Sequence, residues 1–493
     1  MIVHLELVLM GRFIYNTPHS LLRLFLGQFM KITKLSLSLI AALVLSACTT
    51  TKMSQDGSLE QIQQTHQQYQ DITQQYHINE RWWLGYQDPQ LNRLIEMALA
   101  NNINLAKATI AVNTALYNAN LVGANLVPTF SGSGQSSASK GVGSTSNAFS
   151  TGVSSVNHQL GFNLSYTLDL WGRLRDTASA AEWEHKATQE DLQATRLSLI
   201  NGVVSSYYNL AYFNDAVRVT EQSIQAYKEM SRILNNKYQA GLIDHLNVEQ
   251  ANQAVLAAQN TLINLRSAQK TAEQTLRNLL NLAPNAPLAA KAMSLNKVKL
   301  QGIDMNVPVS VIANRPDIRA SLNRLQGGFK NLTSMEKSWF PTITLGGSLT
   351  ASALKLDNLT DNPVGSGLIR FDLPFLDWNR VSNNIKISEE KYKLAKLDYE
   401  QKVTTALNEI DGYYYTYRQS ANRFANLQKK YQSDKKVSGY YKNRYNQGIS
   451  ELREWLNALN TERSSELALL EAKFTQIKNE LAVYQAMAGK YFR

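Results

Sequence analysis

The stretch Gln159–Arg173 (QLGFNLSYTLDLWGR) sets the tightest limit on what this chain can fold into. Leu160, Phe162, Leu164, Tyr166, Leu168 and Leu170 are apolar, while Gln159, Gly161, Asn163, Ser165, Thr167 and Asp169 between them are small or polar. A strict period of two puts the two sets on opposite faces of a strand, over a length that can cross a bilayer. The stretch ends in Asp169-Leu-Trp-Gly-Arg173, and Leu376-Asp-Trp-Asn-Arg380 repeats that ending. Trp171 and Trp378 stand 207 residues apart. A duplicated strand-then-helix unit is therefore the frame of the chain.

From Arg173 the apolar pattern becomes helical for about 65 residues. Leu199, Val203, Ser206, Leu210, Phe213, Val217, Thr220 and Ile224 alternate steps of four and three, the spacing of a coiled-coil seam. At ~1.5 Å per residue such a helix is ~100 Å long, well beyond globular norms. Tyr238-Gln-Ala-Gly241 breaks it, and glycine is the residue best suited to end a helix in a left-handed conformation. A returning helix carries Val248, Ala251, Val255, Ala258, Leu262, Leu265, Ala272, Leu276 and Leu279 on the same stepping, interrupted only by Gln269. Pro284 and Pro287 stop it, leaving a long antiparallel helical hairpin.

The second half repeats the plan. Arg315-Pro-Asp317 opens a helix, and Phe340-Pro-Thr342 marks a new strand in which Ile343, Leu345, Gly347, Leu349 and Ala351 alternate with Thr and Ser. A further strand is expected over Ile369–Phe375. After Trp378 a second long helix runs to Tyr445, with the turn at Gly448; Tyr238 and Tyr445, like Gly241 and Gly448, are 207 residues apart. Leu467, Leu470, Phe474, Ile477, Leu481 and Tyr484 line the last helix. Upstream, Asp88-Pro89 caps an Ala-rich helix expected to continue to Pro128, where strand-like sequence begins. Gly132–Gly152 is Ser/Gly-rich, and without a following Gly-Lys-Ser/Thr it reads as an exposed hairpin loop rather than a phosphate cradle.

The first 29 residues fit no targeting pattern and read as an over-extended start. Residues 30–47 read as an export signal: Lys31 and Lys34 precede an apolar run, Leu35–Leu45, too short to remain as a spanning helix. It ends in Leu45-Ser46-Ala47-Cys48, a lipobox that would leave Cys48 acylated. Cys48 is the only cysteine among 493 residues, which excludes internal disulfides and cysteine-built metal clusters. Residues 48–80 follow as a polar, Gln-rich tether that need not pack. The net charge of +11 is spread among acids along helices, without a groove-reading motif, so nucleic acid is not an expected partner. The 7 histidines lack metal-ligand spacing, and no nucleophile–base constellation is present, so neither enzyme nor cofactor is expected.

Four amphipathic strands per chain cannot close a barrel, and open strand edges do not survive in hydrocarbon. Identical subunits solve this by rotational closure, and three copies would give about 12 strands. The helices, continuing in the same order, would form a tube below. The wet strand face would line a pore.

Several motifs now in hand resemble the TolC-type outer-membrane efflux proteins, in their lipoprotein (OprM- or NodT-like) branch. They are Trp82-Trp83…Asp88-Pro89…Leu91, Val127-Pro-Thr129 with its twin Phe340-Pro-Thr342, Asp169-Leu-Trp-Gly-Arg173, Arg315-Pro-Asp317 and the paired Tyr-x-x-Gly tips. The resemblance covers Arg81 to the C-terminus. It divides the chain into repeats over 81–284 and 311–493, joined by an equatorial linker over 285–310. It implies an α+β membrane protein: a homotrimer with a 12-stranded β-barrel continuous with a periplasmic α-helical coiled-coil barrel, and a collar built from the linker and the chain ends. It also implies a passive exit duct in the cell outer membrane, lipid-anchored and reaching into the periplasm. The implied partners are a periplasmic adaptor and an inner-membrane resistance-nodulation-division transporter for drugs and other solutes.

The resemblance further implies a pore gate just past the second tip. There the chain reads Gly448-Ile-Ser-Glu-Leu-Arg-Glu454-Trp-Leu456-Asn457-Ala458, so Glu454 keeps one of two acidic positions and Asn457 neutralises the other. Tyr238, Gly241, Tyr445 and Gly448 are the implied adaptor contacts. Trp171 and Trp378 are either membrane-interface anchors or fillers of the junction between strand and helix. The alternatives are an outer-membrane duct of type I protein secretion and a coiled-coil structural lipoprotein without a pore.

Overall fold

The computed structural model describes residues 57–74, 76–140, 154–288 and 294–492. Cys48 and the two N-terminal segments before it lie outside the described residues, as does 141–153. The chain begins with α1 (Gly57–Thr73), β1 (His77–Asn79), α2 (Pro89–Asn101) and α3 (Ile103–Gly123). Strands β2 (Thr129–Lys140) and β3 (Ser154–Leu168) lead into α4 (Arg173–Gln239) and its return α5 (His245–Leu279). The second half gives α6 (Pro316–Glu336), β4 (Thr342–Ala353), β5 (Pro363–Asp372), α7 (Trp378–Asn446), α8 (Leu452–Ala486) and β6 (Lys490–Phe492). With 67 and 69 residues, α4 and α7 each run ~100 Å.

β2, β3, β4 and β5 form one antiparallel sheet in chain order, with β2 and β5 at its edges. Register keeps the two faces apart. Phe130 pairs with Leu164, Leu164 with Gly347, Phe162 with Leu349, and Tyr166 with Leu345, which itself pairs with Ile369. The opposite face carries Ser131–Asn163–Ser348–Ser366 and Thr167–Thr344–Arg370 in the same way. Thr167 and Thr344 hydroxyls lie 3.2 Å apart, and those of Ser348 and Ser366 2.7 Å apart. The apolar face is uncovered: Phe130, Phe162, Leu349, Ile369 and Phe371 are all exposed. A large bare apolar sheet face has no place in water.

Four expectations need correction. Gly132–Lys140 is strand, not loop, because its small residues pair fully with β3; Gly132 sits against the Phe162 ring, which covers the space a side chain would fill. β5 occupies Pro363–Asp372 rather than Ile369–Phe375, since Pro374 has no N–H for a ladder and instead opens a 3-10 turn. The Ala-rich helix is two helices, broken at Asn102, whose Oδ1 accepts from Asn104 N at 3.0 Å and Leu105 N at 3.1 Å while Nδ2 donates to Leu279 O at 2.8 Å. Finally, the Gln-rich tether packs. α1 turns Leu59, Ile62, His66, Tyr69 and Thr73 inward, and Leu59 joins a core with Val311, Ile312, Ile318 and Tyr491. The two chain ends also meet, β1 pairing antiparallel with β6.

Midway along the helices the main core closes around Trp82, Leu91, Tyr207, Tyr208, Leu276, Leu280, Leu295, Ile477 and Tyr484. Gln269, the break in the α5 seam, donates to Asn214 at 2.7 Å and so completes a polar pair across the hairpin. Asp215 holds the linker, accepting from Ser294 Oγ and Leu295 N, each at 2.8 Å. Glu480 on α8 is fully buried; its carboxylate accepts from Tyr86 Oη at 2.6 Å and Gly302 N at 2.7 Å, tying the N-terminal segment, linker and last helix together.

Burial, against these hydrogen bonds, raises the Glu480 pKa above its ordinary 4.5. A raised folded-state value means that the associated stability is fully present below about pH 4.5 and is lost as pH rises through the folded pKa. Glu480→Gln removes that slope. The melting temperature of the variant should therefore gain on wild type as pH climbs above 4.5. A difference that does not vary with pH would contradict this account.

Candidate functional site

Two regions gather the residues singled out in the sequence: the far ends of the helical hairpins and the level where sheet becomes helix. At the hairpin ends the same turn is built twice. Gly241 N donates to Tyr238 O at 2.9 Å and Leu242 N to Lys237 O at 2.9 Å; Gly448 N donates to Tyr445 O at 3.0 Å and Ile449 N to Arg444 O at 2.9 Å. Both glycines are left-handed, with φ of 71° and 74°, and nothing crowds either one. This is the six-to-one, five-to-two pattern that closes a helix C-terminus. The return helices end alike, at left-handed Asn281 and Ala488, again 207 residues apart.

The two tips touch each other. Lys237 Nζ on α4 donates to Tyr445 Oη on α7 at 3.1 Å and lies 4.6 Å from the centre of that ring. Tyr445 packs in turn on Trp455, their centroids 5.3 Å apart, and Tyr238 meets His245 edge-on at 4.9 Å. Behind this contact Tyr227, Met230, Leu234, Val248, Leu452 and Leu456 form a small core shared by the hairpins. A groove remains between the tips, lined by Ile243, Asp244, Leu246, Asn247, Glu451 and Arg453. The Lys237–Tyr445 bridge is absent from the motif reading; the one signal for it was that Lys237 and Tyr445 each stand beside a tip turn.

Glu454 and Asn457 lie within the first two turns of α8, three residues apart and both exposed, while Leu452, Leu456 and Leu459 on the other side are buried. Spacing of three puts them on one helix face. Among the described residues neither Glu454 nor its neighbour Arg453 is in an ion pair, so the Glu454 carboxylate is presented to solvent at the tip. At the other end, Trp171 stacks on Phe340 at 4.8 Å and its Nε1 donates to Pro341 O at 2.9 Å, yet the residue is partly exposed. Trp378, the first residue of α7, is 62% exposed. Leu170, Leu373 and Leu376 beside them are also exposed. At the same level Asp169 caps α4, accepting from Leu174 N and Arg175 N at 3.0 Å each.

Among the described residues no cluster of three or more His, Cys, Asp or Glu side chains is placed to hold a metal ion, and no helix is long and apolar enough to cross a membrane. An amphipathic four-stranded sheet carried on two long helical hairpins is the protomer architecture of outer-membrane efflux channels. The chain belongs to the outer membrane efflux protein family, whose profile matches residues 94–282 and 307–489. It is 51% identical over 460 residues, 93% of this chain and 98% of the relative, to Toxin and drug export protein A of Aggregatibacter actinomycetemcomitans. The cation efflux system protein CusC of Escherichia coli (strain K12) is 25% identical, matched over 83% of this chain and 89% of its own. The Campylobacter jejuni CmeC outer membrane channel superposes with a TM-score of 0.75 at 25% identity, over 84% of this chain and 88% of that one.

The tip turns generate a local prediction. Gly448→Val meets no steric obstacle but forces a β-branched residue into the left-handed region, at a cost of about 1–2 kcal/mol. Hydrogen exchange of amides at the ends of α7 and α8 should quicken while the melting temperature of the whole protein barely moves. Unaltered exchange at the tip would mean the turn does not need its glycine.

Proposed function

We propose that the protein is the outer-membrane exit duct of a tripartite efflux system, a passive conduit for drugs and other solutes delivered by an inner-membrane pump through a periplasmic adaptor. The observation that carries this reading is the sheet itself, with one face apolar and bare and both edges unpaired among the described residues. In lipid, every backbone donor and acceptor on those edges needs a partner, and a sister chain is the one available source. Three copies, the number the family resemblance implies, close a barrel of about 12 strands. The polar face then turns to a water-filled lumen, and the helical hairpins continue it as a tube into the periplasm. Cys48, acylated, anchors the N-terminus in the outer membrane. Trp171 and Trp378 sit at the periplasmic membrane surface, where indole rings favour the mixed environment.

The tips, with Tyr238, Gly241, Tyr445 and Gly448, face the adaptor, and the groove between them is the seat for it. Threefold symmetry makes Glu454 a ring of carboxylates beside Asn457 at the far mouth, favouring cations there. The family and the relatives named as drug and cation export components support this role.

A second reading is favoured by one observation: the relative 51% identical to this chain is named for toxin as well as drug export. The same duct then also serves a peptide exporter. In a strain deleted for the gene, restored wild-type protein should recover both drug resistance and secretion of an exported polypeptide. Recovery of resistance alone would eliminate the second role.

Detergent-purified protein should run as a trimer and give discrete pore currents in planar bilayers. A monomer without conductance would end the duct reading. In the same recordings Glu454→Gln should lower cation preference, and an unchanged preference would remove Glu454 from the gate.

A further inference from the structure

The wet face of the sheet is uniform except on one strand. On β2, β3 and β4 its described positions are Thr, Ser, Gln, Asn or Gly throughout, from Thr129 and Ser131 to Thr350 and Ser352. On β5 they are Val364, Ser366, Leu368, Arg370 and Asp372. Face assignment does not rest on alternation alone. Leu368 lies over Gly346, where a Cβ would come within 2.9 Å of its Cγ, and Gly346 pairs with Ser165 on the polar side. Arg370 follows two residues later, in the row Thr167–Thr344–Arg370, and Asp372 closes the strand opposite Thr342. They are the only charged residues on that face within the four strands; Asp169, just past the end of β3 in the same alternation, is paired with Arg175.

Both lie at the helix-bearing end of the sheet, since β5 ends at Asp372 and α7 begins at Trp378. They stand ~7 Å apart along the strand. Both residues are exposed, and among the described residues neither is in an ion pair. β5 is an edge strand, so a closed ring sets it beside β2 of the next copy, whose wet face offers Thr129, Ser131, Ser133 and Gln135 and no charge. Among the described residues, neither the facing positions of β4 nor those of β2 carry a charge.

We propose that Arg370 and Asp372 form two successive charged rungs around the lumen where barrel gives way to helical tube, and that they set the pore's charge preference at that level. Arg370 favours anionic solutes and Asp372 cationic ones. This rests on the duct reading above. The rungs lie at the opposite end of the ~100 Å helices from Glu454, many Debye lengths away, and so act separately from it.

The test is the reversal potential of purified protein in planar bilayers under a KCl gradient, recorded in a Glu454→Gln background so that the tip does not dominate. Arg370→Gln should shift the potassium-to-chloride permeability ratio toward potassium by ~twofold, and Asp372→Asn toward chloride by a similar factor. Both shifts should grow as salt falls from ~0.15 M to ~0.01 M and the Debye length lengthens from ~8 Å to ~30 Å. Arg370→Lys should behave as the parent. Arg370→Cys allows the comparison within one open pore, Cys48 being the only native cysteine. A cationic thiol reagent should restore the parental ratio and an anionic one should drive it further toward potassium. Pores that form with unchanged ratios in these variants overturn the charged rungs and leave the duct standing. Absence of any pore from the unsubstituted protein overturns both.

Discussion

Two rows of backbone groups, along the outer edges of β2 and β5 and unpaired among the described residues, govern the rest of this molecule. A sheet edge in water is a manageable liability, blunted by charge, proline or solvent. Beside hydrocarbon each unsatisfied N–H or C=O costs several kcal/mol, and twelve residues of β2 with ten of β5 cannot bear that. The apolar face calls for lipid, and the edges then call for neighbours. A single chain meets neither requirement, so its fold is completed by its surroundings. Proline at the first position of β5 costs that strand little, because the ladder begins there.

Duplication supplies the matching geometry. The two halves meet at four levels: β3 on β4 in the sheet, α4 on α6 below it through pairs such as Lys337–Asp176 and Arg319–Glu190, the core around Trp82 and Tyr484 midway, and Lys237 on Tyr445 at the tips. These joints differ in strength. The sheet joint has eleven paired positions, and the midway joint buries large aromatics together with the Glu480 hydrogen bonds. The tip joint is a small core with two part-buried hydrogen bonds, Lys237 to Tyr445 and Tyr227 to Asn460, and a cation over a ring, the last worth about 1 kcal/mol at such a site. Of these joints the one at the tips buries the smallest core.

Much of this was readable from residue order. Period-two alternation located β3 and β4, three-and-four stepping located α4, α5 and α8, the 207-residue repeat located α7, and the tip glycines located the turns. What escaped has physical reasons. β2 is written in Ser and Gly, with Phe162 and Leu160 of β3 lying beside Gly132 and Gly134, so its own residues carry little hydrophobic signal. The packed α1 was hidden by glutamines, although Leu59, Ile62, His66, Tyr69 and Thr73 keep the steps of three and four. Asn102 broke a helix that propensity alone would continue, by capping one helix and holding Leu279 of another. Glu480 looks like any helix acid until Tyr86 and Gly302, from distant parts of the chain, arrive beside it. Local pattern gives elements and their faces; pairings across hundreds of residues need the fold.

The same distinction bears on how such a duct discriminates among solutes. A long tube lined by helices offers no pocket, and recognition by shape has little to work with in a sheet face of serine, threonine and asparagine. Charge is what remains, and it acts only over about a Debye length, ~8 Å at physiological salt. Some of the acids and bases along α4 and α7 are paired within or between helices, as Glu221 with Arg266 of α5 or Lys393 with Glu389 are, and the fields of those pairs cancel at short range. In the duct proposed above, two levels would bring exposed, unpaired charges together by symmetry: the tip, with Glu454, and the junction of sheet and helices, with Arg370 and Asp372. Lying ~100 Å apart, they would be met by a solute one after the other and would act as separate steps rather than as one gate.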